Sequence, residues 1–189
     1  MHWIWRSRRS NDEQTRIEGR PAAIASLGLR LDQGQRVTQA VPLIRLARDA
    51  DEPGILTDNL IAPGTTGLVF SARLRALLAS CGVANIDLYP MVVENPADGS
   101  STDDYALANL VGRVTCFDLA RSLVQRDPVA NQIEFIDSLV LADDALHGLR
   151  MFRAAEHSQV IVVCAEVRDA CVGAGITGVD FERAEDFSM

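Results

Sequence analysis

Two stretches of the chain, residues 68–90 and 161–183, carry the same pattern of apolar and polar positions. The second follows the first at a constant offset of 93 positions, so that Val69 corresponds to Val162. Each stretch opens with a β-branched or aromatic run, which predicts a buried strand, and continues with apolar residues at helical spacing. An alternating segment then predicts a second strand. We therefore predict a strand–helix–strand unit that occurs twice, with two ordinary units of chance similarity as the alternative.

The ends of both predicted helices carry capping residues. Ser71 stands where a side-chain oxygen accepts a hydrogen bond from the free amides of the first turn. Cys164 replaces this serine in the second unit, where Glu166 favours the positive end of the helix instead. Gly82 and Gly175 follow the last apolar position of each helix, where a left-handed residue ends a helix at little cost. These matching caps favour a true pseudo-repeat.

The segments before the first unit are harder to assign. Residues around Trp3 to Trp5 predict an N-terminal strand, followed by a polar arm that extends to about residue 20. Weak alternation over residues 22–41 predicts an edge strand with turns at Gly28 and Gly34. Prolines and glycines over residues 42–67 indicate a region dominated by loops.

After the first unit, the pattern predicts short strands and polar turns. Residues 95–104 are expected to form a polar turn, and residues 181–189 an acidic tail. Further short strands are expected over residues 105–111, 113–119, 133–135 and 139–141. Many short strands and two clear helices predict an α+β fold with a mixed, largely antiparallel sheet. A chain of 189 residues has the length of one domain, and we expect residues 1–189 to form a single one.

The balance of charge narrows the classes of partner. The formal net charge is −8. Proteins that bind nucleic acids need a basic surface to displace counterions, so this balance argues against a nucleic-acid partner. It suits solubility in general, and it also suits a basic protein partner. No apolar run has the length of a membrane span and the first residues lack a signal-peptide core, so we expect a cytoplasmic protein without a membrane partner.

Motifs for cofactors and metals are weak. Gly173, Gly175 and Gly178 match the GxGxxG pattern, but the dinucleotide motif places its glycines before a helix, and here the predicted helix precedes them. We interpret them as a helix C-cap and a turn. The cysteines and histidines do not have the spacings of metal ligands. We therefore expect neither a cofactor nor a metal ion, and no catalytic residues.

The order of several segments resembles a known family. The segments that carry the resemblance are residues 69–74, 82–90, 105–111, 116–118, 139–141, 149–153, 160–165 and 175–181. Together they resemble the myxobacterial-type immunity family of bacterial polymorphic toxin systems, over residues 60–183. The segments 82–90 and 175–181 are the most specific of them.

The resemblance implies a small cytoplasmic protein that binds a cognate toxin and neutralises it in the producing cell. Such proteins occlude the active site or the substrate groove of the toxin and need no catalytic residues of their own. We expect acidic loop residues to contact a basic toxin, because complementary charge raises the association rate and the specificity. The candidates are Glu94, Asp98, Asp103, Asp104, Asp143 and Asp144.

Two other classes of function stay open at this point. The chain is also compatible with a small α/β enzyme whose site is not recognisable from sequence, for instance around His147, His157 and Cys164. It is equally compatible with an adaptor domain that forms homo-oligomers. Bound ligands or metals would favour the enzyme, and self-association without a toxin partner would favour the adaptor.

Overall fold

The computed structural model of the protein describes residues 1–8, 14–15, 17–18, 21–51 and 54–189. In these residues the α-helices are α1 (Ala22–Leu27), α2 (Ala72–Ser80) and α3 (Ala165–Gly173). The strands are β1 (His2–Ser7), β2 (Ile17–Glu18), β3 (Ile44–Arg48), β4 (Asn59–Leu60), β5 (Leu68–Ser71), β6 (Ile86–Asn95), β7 (Ser100–Thr102), β8 (Tyr105–Leu110), β9 (Arg113–Val114), β10 (Leu123–Arg126), β11 (Ile133–Ser138), β12 (Met151–Ala154), β13 (Ile161–Cys164) and β14 (Val179–Arg183). Short 3-10 helices lie at Leu31–Gln33, Asp143–Leu146 and Ala184–Asp186.

Most of the described strands belong to two larger sheets. One sheet has the order β14–β1–β13–β12–β9, and the other has the order β2–β3–β6–β8–β5–β4, with β7 also paired to β6. The β10–β11 hairpin stands apart from both. Strand pairs are antiparallel except β3–β6 and β9–β12, which are parallel. The predicted α+β fold, with a mixed, largely antiparallel arrangement of strands and two main helices, is thus confirmed.

The pseudo-repeat is present in three dimensions. β5, α2 and β6 form the first unit, and β13, α3 and β14 form the second. In each unit the two strands flank a third, antiparallel strand, which is β8 in the first unit and β1 in the second. The strands of the two units also pair in the same register. In the first sheet Ala108 pairs with Leu68 on one side and Leu88 on the other. In the second sheet Trp5 pairs in the same way with Ile161 and Phe181, the residues that correspond to Leu68 and Leu88. The third strand follows the first unit in sequence, whereas the second unit takes its third strand from the start of the chain.

The helix ends follow the predicted caps. The Ser71 hydroxyl accepts a hydrogen bond from the Leu74 backbone N–H at 3.1 Å, whereas the Cys164 side chain accepts no such bond. Gly82 and Gly175 have positive φ values of 77° and 63°. In both units the residue after this glycine donates its N–H to the carbonyl five positions earlier, at 3.0 Å.

The two units brace each other through the turns between helix and strand. In the second unit, the carbonyl of Gly178 accepts a hydrogen bond from the Asn59 side-chain amide at 2.8 Å. In the first unit, the Asn85 side-chain amide donates to the carbonyl of Met151 at 3.1 Å. Asn59 and Met151 occupy corresponding positions in β4 and β12, because they face Phe70 and Val163 in register. Each unit therefore contacts the strand that pairs with the first strand of the other unit, β4 beside β5 and β12 beside β13.

The helices form the centre of the core. Leu74 and Leu78 of α2 and Val167 and Cys171 of α3 are buried in one apolar cluster between the two sheets. A second cluster lies on the other face of the β5-containing sheet, where α1 and the following 3-10 helix cover it. A third lies on the other face of the β13-containing sheet, beneath the β10–β11 hairpin. Burial of apolar surface on both faces of each sheet supplies the main favourable term for folding.

Some expectations from sequence were wrong. Residues 22–41 form no edge strand; the segment contains α1 and a 3-10 helix. Gly28 has a φ of 60° and Leu29 donates its N–H to the Ile24 carbonyl at 3.3 Å, so the chain reverses there and the apparent alternation arises from a helix end. The region 42–67 is rich in loops as expected, but it also contains β3 and β4, which the sequence did not indicate.

Two further segments are more ordered than their polarity suggests. Residues 95–104 include β7, which pairs with the end of β6. Residues 184–189 are not a solvated tail: Phe187 is buried, and Met189 exchanges two backbone hydrogen bonds with Ile136 at 2.8 and 2.9 Å. The predicted N-terminal strand is confirmed as β1, whereas residues 9–13, 16 and 19–20 of the expected polar arm lie outside the described residues.

Candidate functional site

Most of the predicted acidic residues lie along the meander formed by β6, β7 and β8. Glu94 lies within β6, not in a loop, and forms an ion pair with Arg45 of β3. Asp98 lies in the turn between β6 and β7, where its carboxylate accepts a hydrogen bond from the Ser100 backbone N–H at 2.8 Å. Hydrogen bonds from the Ser100 side chain and backbone lower the pKa of Asp98. These two carboxylates already have partners within the protein.

Asp103 and Asp104 differ from these acids. Both lie in the short loop between β7 and β8. The Arg75 guanidinium donates to the backbone carbonyl of Asp104 at 2.9 Å, which fixes the loop against α2. Across the part of the chain that the structure describes, neither aspartate carboxylate has a hydrogen bond or an ion pair. Their full charge is therefore available to an outside group.

A groove of about 540 Å³, lined by both apolar and polar groups, adjoins this loop. Its floor is formed by one side of β6, where Leu88 and Pro90 point away from the buried face that Met91 occupies. Leu88 keeps 46% of its surface exposed, and Leu43, just before β3, keeps 44%. Asp103 and Arg75 also line the groove, so charged groups stand beside apolar side chains. This combination is typical of protein-binding surfaces.

The two remaining acids lie elsewhere in the fold. Asp143 and Asp144 belong to the 3-10 helix between β11 and β12, and Leu146 of this helix packs in the cluster under the β13-containing sheet. Asp144 is exposed, and the side chain of Asp143 lies outside the described residues. The structure therefore brings Glu94, Asp98, Asp103 and Asp104 together on one meander but does not add Asp143 and Asp144 to them.

The candidate residues for an enzymatic site do not assemble. His147 and Cys164 line one cavity of about 310 Å³, together with His2 and Glu166. His157 lies in the turn between β12 and β13, at the opposite end of β13 from Cys164, where burial lowers its pKa. Within the described ranges, no three His, Cys, Asp or Glu side chains lie in an arrangement that could hold a metal ion.

The glycine motif near the end of α3 has a packing explanation. Gly175 ends the helix, as the sequence predicts. Gly178 has a φ of 81°, and a Cβ atom there would lie 2.2 Å from the backbone oxygen of Asn59. A side chain is therefore excluded by the close approach of β4, which accounts for this glycine without a ligand.

Comparison with protein families decides the relationship that the segment order suggested. The model of the Immunity protein family (Imm11) matches residues 7–186. The chain belongs to this immunity protein family. The resemblance noted over residues 60–183 is thus confirmed, and the match also extends over β2 and β3 and begins at Ser7, the last residue of β1. A comparison with curated proteins found no match.

As an immunity protein, the chain is expected to have a surface for a toxin, and the apolar part of the candidate surface was missed by sequence reasoning. Leu88 and Leu43 gave no signal, because alternating apolar residues in a strand usually indicate a buried face. Leu88 is exposed although its partner in β8, Ala108, is buried, so the pattern along β6 alone does not reveal its exposure. None of the helices in the described residues has the length and apolarity needed to cross a bilayer.

Proposed function

We propose that this immunity protein binds a cognate toxin and neutralises it by occluding the toxin's active site or substrate groove. Membership of the immunity family implies a toxin partner in general. The finer proposal rests on one observation: a groove with the exposed apolar side chains of Leu43 and Leu88 lies beside two carboxylates that have no partner among the described residues. Occlusion requires affinity alone, so we propose that the protein is not an enzyme.

The groove next to the β7–β8 loop has the properties of a recognition surface. Binding energy in protein interfaces concentrates in a few apolar or aromatic anchors, surrounded by polar groups that exclude water. Leu43, Leu88 and Pro90 supply such an apolar centre, and Asp103 supplies charge at its edge. A net charge of −8 adds a long-range attraction for a basic toxin and raises the association rate.

The proposed partner is a toxin whose active domain carries basic residues around its catalytic groove. We propose that it is encoded beside this chain and that the complex forms in the cytoplasm of the producing cell. Neither a nucleic acid nor a membrane is part of the proposed complex. Asp143 and Asp144 are proposed as secondary contacts, because they lie on a different part of the surface.

Co-expression tests the proposal. The chain is expressed with the toxin domain encoded next to it, and growth rescue and co-purification are measured. We expect rescue together with a stable complex. Toxicity that persists in the presence of the folded protein would contradict the proposal, and no toxicity with no complex would favour the enzyme or adaptor alternatives.

A pair of matched variants tests the groove itself. Leu88→Asp places a charge in the centre of the groove, and Leu123→Asp makes the same change at another exposed leucine, on the β10–β11 hairpin. We expect the first variant to lose at least about ten-fold in affinity for the toxin, a loss typical of an interface anchor, and the second to retain native affinity. Circular dichroism of both variants controls for folding.

A further inference from the structure

A row of three residues crosses the β13-containing sheet on the face that points towards α3. Trp5 in β1 pairs with Ile161 in β13, and Ile161 pairs with Arg153 in β12. Side chains of paired residues in adjacent strands project from the same face of a sheet. Trp5 and Arg153 are therefore two strand spacings apart, about 10 Å between backbones, on one surface.

Arg153 is a buried cation that forms no ion pair with a carboxylate of the described residues. Only 3% of its surface is exposed. One guanidinium nitrogen, Nη1, donates to the Ser158 carbonyl at 2.8 Å, but the buried Nε has no acceptor among the described residues, and no carboxylate there forms an ion pair with it. Burial lowers the pKa of Arg153 to about 10. An unpaired buried charge is costly, so its presence calls for a ligand or another compensating group.

The ring nitrogen of Trp5 is likewise a buried donor without a hydrogen-bond acceptor among the described residues. The side chain is 3% exposed and its ring packs against Phe70 and Phe181, with centroid distances of 5.8 and 5.5 Å. The Nε1 donor is buried and has no acceptor in the described part of the chain. Buried donors without partners are rare in folded proteins, and here two of them belong to one row of one sheet.

Both residues line the same cavity, which has a volume of about 450 Å³. Apolar walls are provided by Ile161, Leu68 and Phe187. Asp32 also lines the cavity and its charge raises the pKa of Arg153, but its carboxylate pairs with the Arg30 guanidinium at 3.2 Å and forms no ion pair with Arg153. The volume lies in the range of small-molecule sites, which combine apolar walls with a few fixed polar groups.

We infer that this cavity binds a small carboxylate with an apolar body. The carboxylate accepts hydrogen bonds from the unpaired donors of Arg153 and Trp5, and the apolar body contacts Ile161 and Phe187. A guanidinium and a carboxylate form strong, charge-assisted hydrogen bonds, so the ligand supplies a counter-charge in direct contact with Arg153. This site is separate from the groove at the β7–β8 loop, so the inference does not depend on the proposed toxin complex.

Thermal unfolding in the presence of benzoate tests the inference. Benzoate is compared with sodium chloride at equal ionic strength and with benzyl alcohol, which has the same ring but no carboxylate. We expect benzoate to raise the Tm by about 4 °C at about ten times its Kd, and the other two additives to leave it unchanged. No shift with benzoate, or an equal shift with benzyl alcohol, overturns the inference.

Variants at Arg153 locate the effect. Arg153→Met removes the unpaired charge while keeping most of the side-chain volume, and we expect it to fold and to lose the response to benzoate. Arg126→Met, at an exposed arginine of β10, is the matched control and keeps the native response. Should Arg153→Met fail to fold, Arg153→Lys retains the charge without the fork of donors and is expected to weaken binding about ten-fold. A native response in the folded variants at Arg153 refutes the assignment.

Discussion

The carboxylate of Asp58 accepts two hydrogen bonds from Thr177, one from the backbone N–H at 3.0 Å and one from the side-chain hydroxyl at 3.1 Å. Asp58 precedes β4, and Thr177 lies in the turn between α3 and β14. The same carboxylate accepts a hydrogen bond from the Ser71 hydroxyl at 2.8 Å, and Ser71 is the N-cap of α2. One buried side chain thus joins the start of the first helix to the turn after the second.

Replacing Asp58 by alanine is expected to destabilise the fold by about 3 kcal/mol, because several donors in the buried network lose their acceptor at once. The matched control is Arg150→Ala. Arg150 holds the corresponding position in the second unit. The backbone carbonyl of Asp58 accepts a hydrogen bond from the Ser71 N–H, and the carbonyl of Arg150 accepts one from the Cys164 N–H, each at 2.8 Å. Its ion pair with Glu166 is long and largely exposed, so the loss should stay below about 1 kcal/mol. Urea unfolding measures both, and equal losses would contradict the assignment.

Two glycines of the same motif should respond differently to alanine. Gly175 has a positive φ but open space around the site of a Cβ atom, so Gly175→Ala should cost only the left-handed backbone strain, about 1–2 kcal/mol. In Gly178→Ala the new Cβ would also meet the backbone of Asn59 at 2.2 Å, and the edge strand must move. We expect a clearly larger loss of unfolding free energy for Gly178→Ala in urea titrations. Comparable losses of unfolding free energy in the two variants would show that β4 can move away from the new side chain at little cost.

The repeat explains how much of the fold was readable from sequence. Local signals, such as the Ser71 cap and the glycine at position 82, act within one turn of helix and were read correctly. The pairing of β1 between β13 and β14 joins opposite ends of the chain, and nothing local in Trp5 specifies its partners. Long-range pairings of this kind are set by packing of complementary faces, which a single sequence does not display.

The candidate site shows the same division. The acidic residues of the 95–104 segment were recognisable because a run of polar and charged residues predicts an exposed turn. Whether a carboxylate is free or paired depends on neighbours from other strands: Glu94 is paired with Arg45, whereas Asp103 has no partner in the described residues. The unpaired donor of Arg153 also went unnoticed, because an arginine in a strand gives no sign of its burial.

Alkaline pH should destabilise the protein through two buried thiols. Burial raises the pKa of Cys116 and of Cys171 from 9.0 to about 12. The unfolded chain therefore releases these protons first, so the stability present below pH 9 falls as the pH rises towards 12. We expect a loss of order 1 kcal/mol per pH unit per thiol between pH 9 and 10. Urea unfolding at pH 8 and 10 under reducing conditions measures this slope, which the double variant Cys116→Ala/Cys171→Ala should flatten; equal stability of the native chain at both pH values would contradict the prediction.

Charge reversal at the β7–β8 loop should slow association with the toxin. Asp103→Lys combined with Asp104→Lys removes the two carboxylates that have no partner among the described residues, and we expect the association rate constant at low salt to fall about ten-fold. The dependence of this rate on ionic strength should weaken as well, because salt screens the electrostatic attraction that the variant lacks.

The control replaces Glu134 and Asp137, two acids of β11, by lysine. This makes the same change in net charge away from the groove. Stopped-flow or surface plasmon resonance kinetics over a salt series distinguishes the two pairs. An equal decrease in both would mean that net charge alone steers the encounter, and an unchanged rate in the Asp103 and Asp104 variant would exclude this loop from the toxin-binding surface.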